Sequence, residues 1–342
     1  MLLTIIVPSH NHERFVISTI KAATQINVKN KEIIVIDDGS SDTSAHTIRE
    51  YIATKDNGCN IRLIARENRG LVKTLNEGLS IALGKYFYLV GSDDIPIPAG
   101  ISSLVNYLEA NGDLQFALGN ALFMNSENQR TFTPSYGAAH QRFFALSFDR
   151  RKKEIFLNYP HPILLQATVF KTSTLKNIGG WREDIISDDF SLFLRLFSQL
   201  KSVDKDFAYQ PDIMACFYRQ HETNIFRNSE RQFMMMDQTL TLLCPAEYRD
   251  AAHLKLLADI GIMVAKRGDL SLALHLFNST IARIGIIRSM RASGPALRDS
   301  LMTRITNRLS RKIVVEHEPA ASITPDLFPT DKHETLYSQT GS

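Results

Sequence analysis

The chain has 342 residues, 44% hydrophobic and 22% charged, with a net charge of +3 at pH 7. That length supports a large core and more than one folding unit, and the composition is ordinary for a soluble globular protein. The small net charge argues against nucleic acid as a partner, and no uncharged apolar run approaches the ~20 residues that span a bilayer.

Met1–Val7 is too short and lacks the basic flank of a signal peptide. Cys59, Cys216 and Cys244 are odd in number and widely spaced, which argues against a disulfide framework or a zinc site. Such usage suits a reducing compartment, so a cytoplasmic location is expected.

Over the first 120 residues, short apolar runs alternate with helical patterns. Leu3–Val7, Glu32–Ile36, Ile61–Ala65, Tyr86–Val90 and Gln115–Leu118 read as strands. Helices are expected near Glu13–Thr24, Thr43–Ala53, Leu71–Ala82 and Ile101–Glu109. The unbroken apolar run at 33–36 fits a strand buried on both faces. This alternation predicts an α/β fold with a mainly parallel sheet and flanking helices.

Two acidic turns close such strands. Asp37-Asp38-Gly39-Ser40-Ser41-Asp42 follows the second, and Gly91-Ser92-Asp93-Asp94 follows the fourth. Each could be a simple turn, with Ser41 or Asp42 capping the next helix. Yet adjacent carboxylates repel, and strand C-termini in open α/β sheets converge on a ligand crevice. One turn could hold a ribose and base, and Asp93 could bind Mg²⁺ or Mn²⁺ against phosphates.

From Ala121 to Arg227 the pattern loosens. Asn125–Arg130 and Pro134–His140 read as loops, and Met214–Tyr218 as an extended run. Gly179-Gly180-Trp181 leads to Ser187-Asp188-Asp189 at the start of a helix, where acids suit the helix dipole or could serve as a general base. Tyr218-Arg219-Gln220-His221 follows the extended run.

From Asn228 the chain is helical in pattern. Gly268-Asp269 is a stop and N-cap between two apolar stripes, the second being Leu270, Leu274, Phe277 and Ile281. The pair resembles a single tetratricopeptide-like hairpin, too little for an array. Residues 283–315 carry +7, leaving −4 elsewhere, which suggests either a solvated basic face or contact with an anionic membrane surface. Residues 316–342 are expected to be disordered. The domains expected are 1–227, with halves 1–120 and 121–227, a helical region 228–315, and that tail.

In this order the motifs resemble the family 2 glycosyltransferases of GT-A fold, over roughly Leu2–Asn224. Thr4-Ile5-Ile6-Val7-Pro8-Ser9-His10-Asn11 looks like the family's first strand and turn, and the 37–42 turn like its D-D-G-S-x-D. Asn68-Arg69-Gly70, Asn76-Glu77-Gly78 and Ala82-Leu83-Gly84-Lys85-Tyr86 match N-x-G…N-x-G…A-x-G-x-Y, with Leu75 where many members have Arg. Val90–Asp94 falls on L-D-x-D-D, Gly91 standing in for the first acid.

The resemblance implies an inverting enzyme that moves a sugar from a nucleotide-diphosphate sugar, a UDP-sugar, to a glycan or lipid-linked acceptor hydroxyl. It implies donor contacts from Pro8, His10, Asp38, Ser92 and Arg219. Asp93 and His221 would hold the metal, with Asp189 as base and Asp188 its acidic neighbour. Two rivals remain. A sugar nucleotidyltransferase needs a glycine-rich loop after the first strand, and Pro8-Ser9-His10-Asn11 has none. A catalytically impaired glycan- or protein-binding module would explain Gly91 but not the retained acids.

Overall fold

The computed structural model describes residues 1–54, 60–222 and 228–285. The chain opens with β1 (Leu3–Ser9), α1 (Val16–Thr24), β2 (Lys31–Asp38), α2 (Ser44–Ala53), β3 (Asn60–Arg66), α3 (Leu71–Ile81) and β4 (Tyr86–Leu89). Next come β5 (Ile95–Pro96), α4 (Pro98–Ala110), β6 (Phe116–Asn125), β7 (Arg130–Pro134), α5 (Ala138–Phe144) and α6 (Phe148–Leu157). Then follow β8 (Thr168–Lys171), α7 (Thr172–Asn177), α8 (Asp189–Gln199) and β9 (Ala208–Gln220). Four helices close the described part: α9 (Ser229–Leu243), α10 (Ala246–Leu256), α11 (Ile262–Lys266) and α12 (Leu270–Ile284).

The α/β expectation holds. One sheet runs β3-β2-β1-β4-β8-β6-β9-β5, with β7 paired to β6. Strands β3, β2, β1 and β4 are parallel, and β8 joins β4 antiparallel. Beyond β8 the sheet is mixed: β9 is parallel to β6 and antiparallel to β5. Ile33, Ile34, Val35 and Ile36 are all buried, as their unbroken apolar run requires. Because β1, β2 and β4 point the same way, both acidic turns emerge at one edge of the sheet.

Several boundaries differ from those read in the sequence. The strand expected at Gln115–Leu118 runs on to Asn125, where Asn125 and Asn128 form the turn into β7. Every residue of β7 is exposed, so no alternation betrayed it. β9 starts six residues before Met214 despite Pro211. There the β6 register shifts between Leu118 and Asn120, and a proline is tolerated where ladder bonds are interrupted. Helix α2 is capped neither by Ser41 nor by Asp42 as its N-cap, since that position is Thr43. Asp42 Oδ1 instead accepts from Ser44 N at 2.9 Å, while Glu13 Oε2 takes the Thr43 N–H.

One apolar core continues from the sheet into the helices, including Phe233, Leu240, Leu256, Val264 and Leu276. Asp269 caps α12 through Leu272 N at 3.0 Å, as expected. The second stripe, however, does not face that core. Leu270, Leu274 and Phe277 are exposed, and Leu276, Thr280 and Ile284 make the buried face. Most of the basic stretch 283–315 and all of 316–342 lie outside the described residues.

Candidate active site

A cleft of about 900 Å³ opens over the C-terminal edge of β1, β2 and β4 and is closed on the far side by α8 and α9. Pro8, His10, Asp38, Ser92, Asp93, Asp188, Asp189 and His221 all line it. Eight of the nine residues expected at the site thus meet in one cavity.

Arg219 is the exception. Its side chain is fully buried, with the guanidinium 4.5 Å from the Phe15 ring centroid. It donates to Asp93 O (2.6 Å), Asn125 O (3.1 Å) and Asn128 Oδ1 (2.8 Å), tying the strand-end turn to the β6–β7 turn. It lies outside the cleft lining and so serves as a strut beneath the acidic turn.

At the β2 end the two adjacent acids divide their work. Asp37 holds the turn, accepting from Ser40 N (3.0 Å) and Ser40 Oγ (2.6 Å). Asp38 Oδ1 accepts from Arg69 N at 2.7 Å and pairs with Arg66, whose Nε donates to Glu77 at 2.7 Å. Burial pushes the Asp38 carboxyl up, but the Arg69 N–H and the Arg66 guanidinium hold it below the usual carboxylate range. The repulsion between neighbours is relieved by protein partners, and Asp38 enters the cleft wall ionised. His10 Nδ1 lies 3.0 Å from Asp38 O, with its ring exposed at the mouth.

At the β4 end the division is reversed. The second acid, Asp94, is buried and structural: Oδ1 accepts from Arg219 N (2.8 Å) and Oδ2 from Gln166 Nε2 (2.9 Å). Burial and the neighbouring Asp93 charge drive its carboxyl well above the usual range. The first acid, Asp93, meets His221 Nε2 at 3.0 Å. Burial alone would raise Asp93, but the hydrogen bond from His221 and the nearby His12 outweigh it and lower the carboxyl.

His12 completes a cluster that reading the chain did not single out. Ligating atoms of His12, Asp93 and His221 all lie within 4.8 Å of one another. The His12 ring is set by Nδ1 at 2.8 Å from Ser92 Oγ, and by an edge contact with His221 at 5.8 Å between centroids. Burial, more than any charge, keeps His12 below its ordinary pKa and hence neutral, the form a metal needs. The signal was available: His12 shares the β1 turn with His10. Gly91 also gains a reason, since a Cβ there would sit 2.6 Å from Asp93 Oδ1. The missing first acid leaves the space that the Asp93 carboxylate occupies.

The donor set of two imidazoles and one carboxylate fits a divalent transition ion. Mg²⁺ takes oxygen ligands in near-ideal octahedral geometry, so this nitrogen-rich set suits it less.

The third acid pair differs from both. Asp188 is the N-cap of α8 but makes no side-chain capping bond, and Asp189 Oδ1 accepts the adjacent Phe190 N–H at 2.5 Å. Neither acid has a cationic partner among the described residues. Burial, then the Asp188 charge, lifts Asp189 to about 8, and burial raises Asp188 as well.

The glycine-bearing motifs position this pair. Asn76 Oδ1 accepts from Trp181 N (2.9 Å) and Asn76 Nδ2 donates to Trp181 O (2.8 Å), so α3 grips the loop leading to Asp188. Gly180, at φ +63°, lies where a Cβ would come within 2.5 Å of Asn76 Oδ1, so only glycine fits both the backbone and the contact.

The family model for glycosyl transferase family 2 matches residues 4–174, half of the chain. A poly-beta-1,6-N-acetyl-D-glucosamine synthase of Staphylococcus epidermidis is 24% identical over 212 residues, 61% of this chain and 48% of that protein. The chain spans less than half the length of the curated relatives it matches. S. aureus TarS in complex with UDP-GlcNAc shares the fold at a TM-score of 0.53 and 17% identity, covering 75% of this chain and 72% of TarS. The mannosyltransferase PcManGT of Pyrobaculum calidifontis, in complex with GDP-Man and Mn²⁺, does so at 0.54 and 16%, covering 89% and 86%. The family model's match over half of the chain places it in glycosyl transferase family 2.

Proposed function

We propose that the chain transfers a sugar, with inversion, from a nucleotide-diphosphate sugar to an acceptor hydroxyl in polysaccharide or glycoconjugate synthesis. The observation that carries this reading is one cleft lined at one end by Asp38 and the His12–Asp93–His221 cluster, and at the other by Asp188 and Asp189. A UDP-sugar is the donor favoured, in keeping with the TarS complex, and GDP-Man in PcManGT is the alternative to test.

Asp38, Pro8 and His10 form the nucleoside end of the wall. Ser92 orients His12, and His12, Asp93 and His221 are the residues that would hold Mn²⁺. When bound, the ion neutralises charge developing on the departing diphosphate. Asp189 takes the proton of the acceptor hydroxyl as that oxygen attacks the anomeric carbon. A carboxyl near pKa 8 is a stronger base than an ordinary carboxylate once ionised. Asp188 raises its neighbour's affinity for that proton. One base and a single in-line displacement invert the anomeric centre. The acceptor side is α8 with α9, whose Gln232, Met235 and Met236 face the cleft.

The test is a panel of UDP- and GDP-sugars assayed for nucleotide release with Mn²⁺ and with chelator. Metal-dependent release from one donor, abolished in Asp189→Asn only when acceptor is required, supports the reading. No release and no binding of any nucleotide sugar would favour a non-catalytic binding module on the same fold.

A further inference from the structure

The cleft wall has an electrostatic imbalance. Asp38 and Asp93, the two acids whose carboxyls are held low, line it beside Asp94, Asp188 and Asp189. A nucleoside diphosphate adds further negative charge to that cavity. Arg219, a cation expected to contact the donor, is engaged beneath the floor with Phe15, Asp93 O, Asn125 and Asn128.

Among the described residues that line it there is a single Lys or Arg, and it is Arg231. It stands on the first turn of α9, where Asn228 Oδ1 accepts its backbone N–H at 2.9 Å and fixes the start of the helix. Its side chain is exposed and has no hydrogen-bond or ion-pair partner among the described residues. The two Met residues one turn further on, Met235 and Met236, also face the cleft, so this face of α9 is turned inward.

We propose that Arg231 binds the diphosphate of the donor, in place of the donor contact that the family resemblance implied for Arg219. This rests on the donor-binding reading above. A guanidinium fork presents paired N–H donors that match phosphate oxygens, and a cation not already engaged loses no protein contact on binding. The helical region thereby supplies a group to donor binding, and not merely a wall for the acceptor.

The experiment is calorimetric titration of the 342-residue protein, in Mn²⁺, with UDP and with GDP, alongside the matching nucleoside followed by saturation-transfer NMR. Arg231→Ala and Arg231→Gln should weaken the diphosphate about 10–100-fold, the range for a lost charged hydrogen bond, while the nucleoside binds as before. Arg231→Lys, which keeps the charge without the fork, should fall between. Unchanged diphosphate affinity in both neutral variants overturns the assignment. So does parallel loss of nucleoside and diphosphate, which marks a structural role. Wild-type protein that binds neither UDP nor GDP overturns the donor reading itself.

Discussion

The acid at the end of β4 and the acids at the start of α8 face the same cavity from opposite sides, yet they are prepared in opposite ways. Asp93 is given a hydrogen-bonding histidine and a second imidazole, and its carboxyl is held low. Asp189 is given burial and a like-charged neighbour, and its carboxyl is lifted to about 8. A carboxylate that must stay ionised to hold a cation needs the first environment, and one that must capture a proton needs the second. The same residue type thus takes two roles because its surroundings differ.

The largest effect that can break this contrast is Asp189→Asn. Loss of a general base should lower turnover about 10²–10⁴-fold, with nucleotide affinity near wild type by calorimetry. If Asp188→Asn is the inactive variant instead, the two acids exchange roles. In wild type, kcat/KM should climb as pH rises through about 8, because the base must be unprotonated. A flat profile from pH 6 to 9 would remove the raised pKa from the mechanism.

The same shift has a sign for stability. Unfolded Asp titrates near ~4, so between that pH and about 8 the folded chain binds more protons than the unfolded one at this site. Its contribution therefore falls with rising pH across that window, being fully present below it and lost above the folded pKa. Asn carries no such penalty. Melting curves should show Asp189→Asn gaining on wild type as pH rises from 5 to 9.

Next in size is the metal cluster. Asp93→Ala should abolish Mn²⁺ binding measured by electron paramagnetic resonance. His12→Ala should weaken it by at least the ~10–100-fold typical of disturbing a metal's surroundings. Mn²⁺ affinity unchanged in His12→Ala would reduce the cluster to Asp93 and His221.

Smaller again is Asn76→Ala, which removes both hydrogen bonds to the Trp181 backbone. A loss of about 1–3 kcal/mol in stability is expected from denaturant melts. Turnover should fall more than nucleotide affinity, since the loop carries Asp188 and Asp189 and not Asp93. The smallest effect is that of Gly91→Ala, which would crowd Asp93 Oδ1 and should weaken Mn²⁺ modestly with little change in melting temperature.

The parallel strands β1 to β4 and both of their acidic turns were legible because their signals are local: continuous apolar runs closed by Asp, Gly and Ser. What stayed hidden depends on distant partners. Whether Arg219 faces ligand or core is decided by Phe15 and the turn at Asn125–Asn128, about a hundred or more residues away in sequence. Likewise, nothing local to Arg231 says that α9 folds back over the cleft. The stripe Leu270, Leu274 and Phe277 has the right helical period, but period fixes a face and not the direction in which it points.

The match to the family ends at residue 174, whereas Asp188, Asp189 and the inward face of α9 come afterwards. The stretch that shows the family thus holds the nucleoside wall and Asp93, and the stretch after it holds the proposed base and Arg231. A descendant that remodels the helices Asp189–Gln199 and Ser229–Leu243 would alter the acceptor wall, the base and the phosphate-binding arginine at once. Re-aiming such an enzyme at a new acceptor therefore calls for changes at Gln232, Met235 and Met236 that leave Asp189 and Arg231 in place.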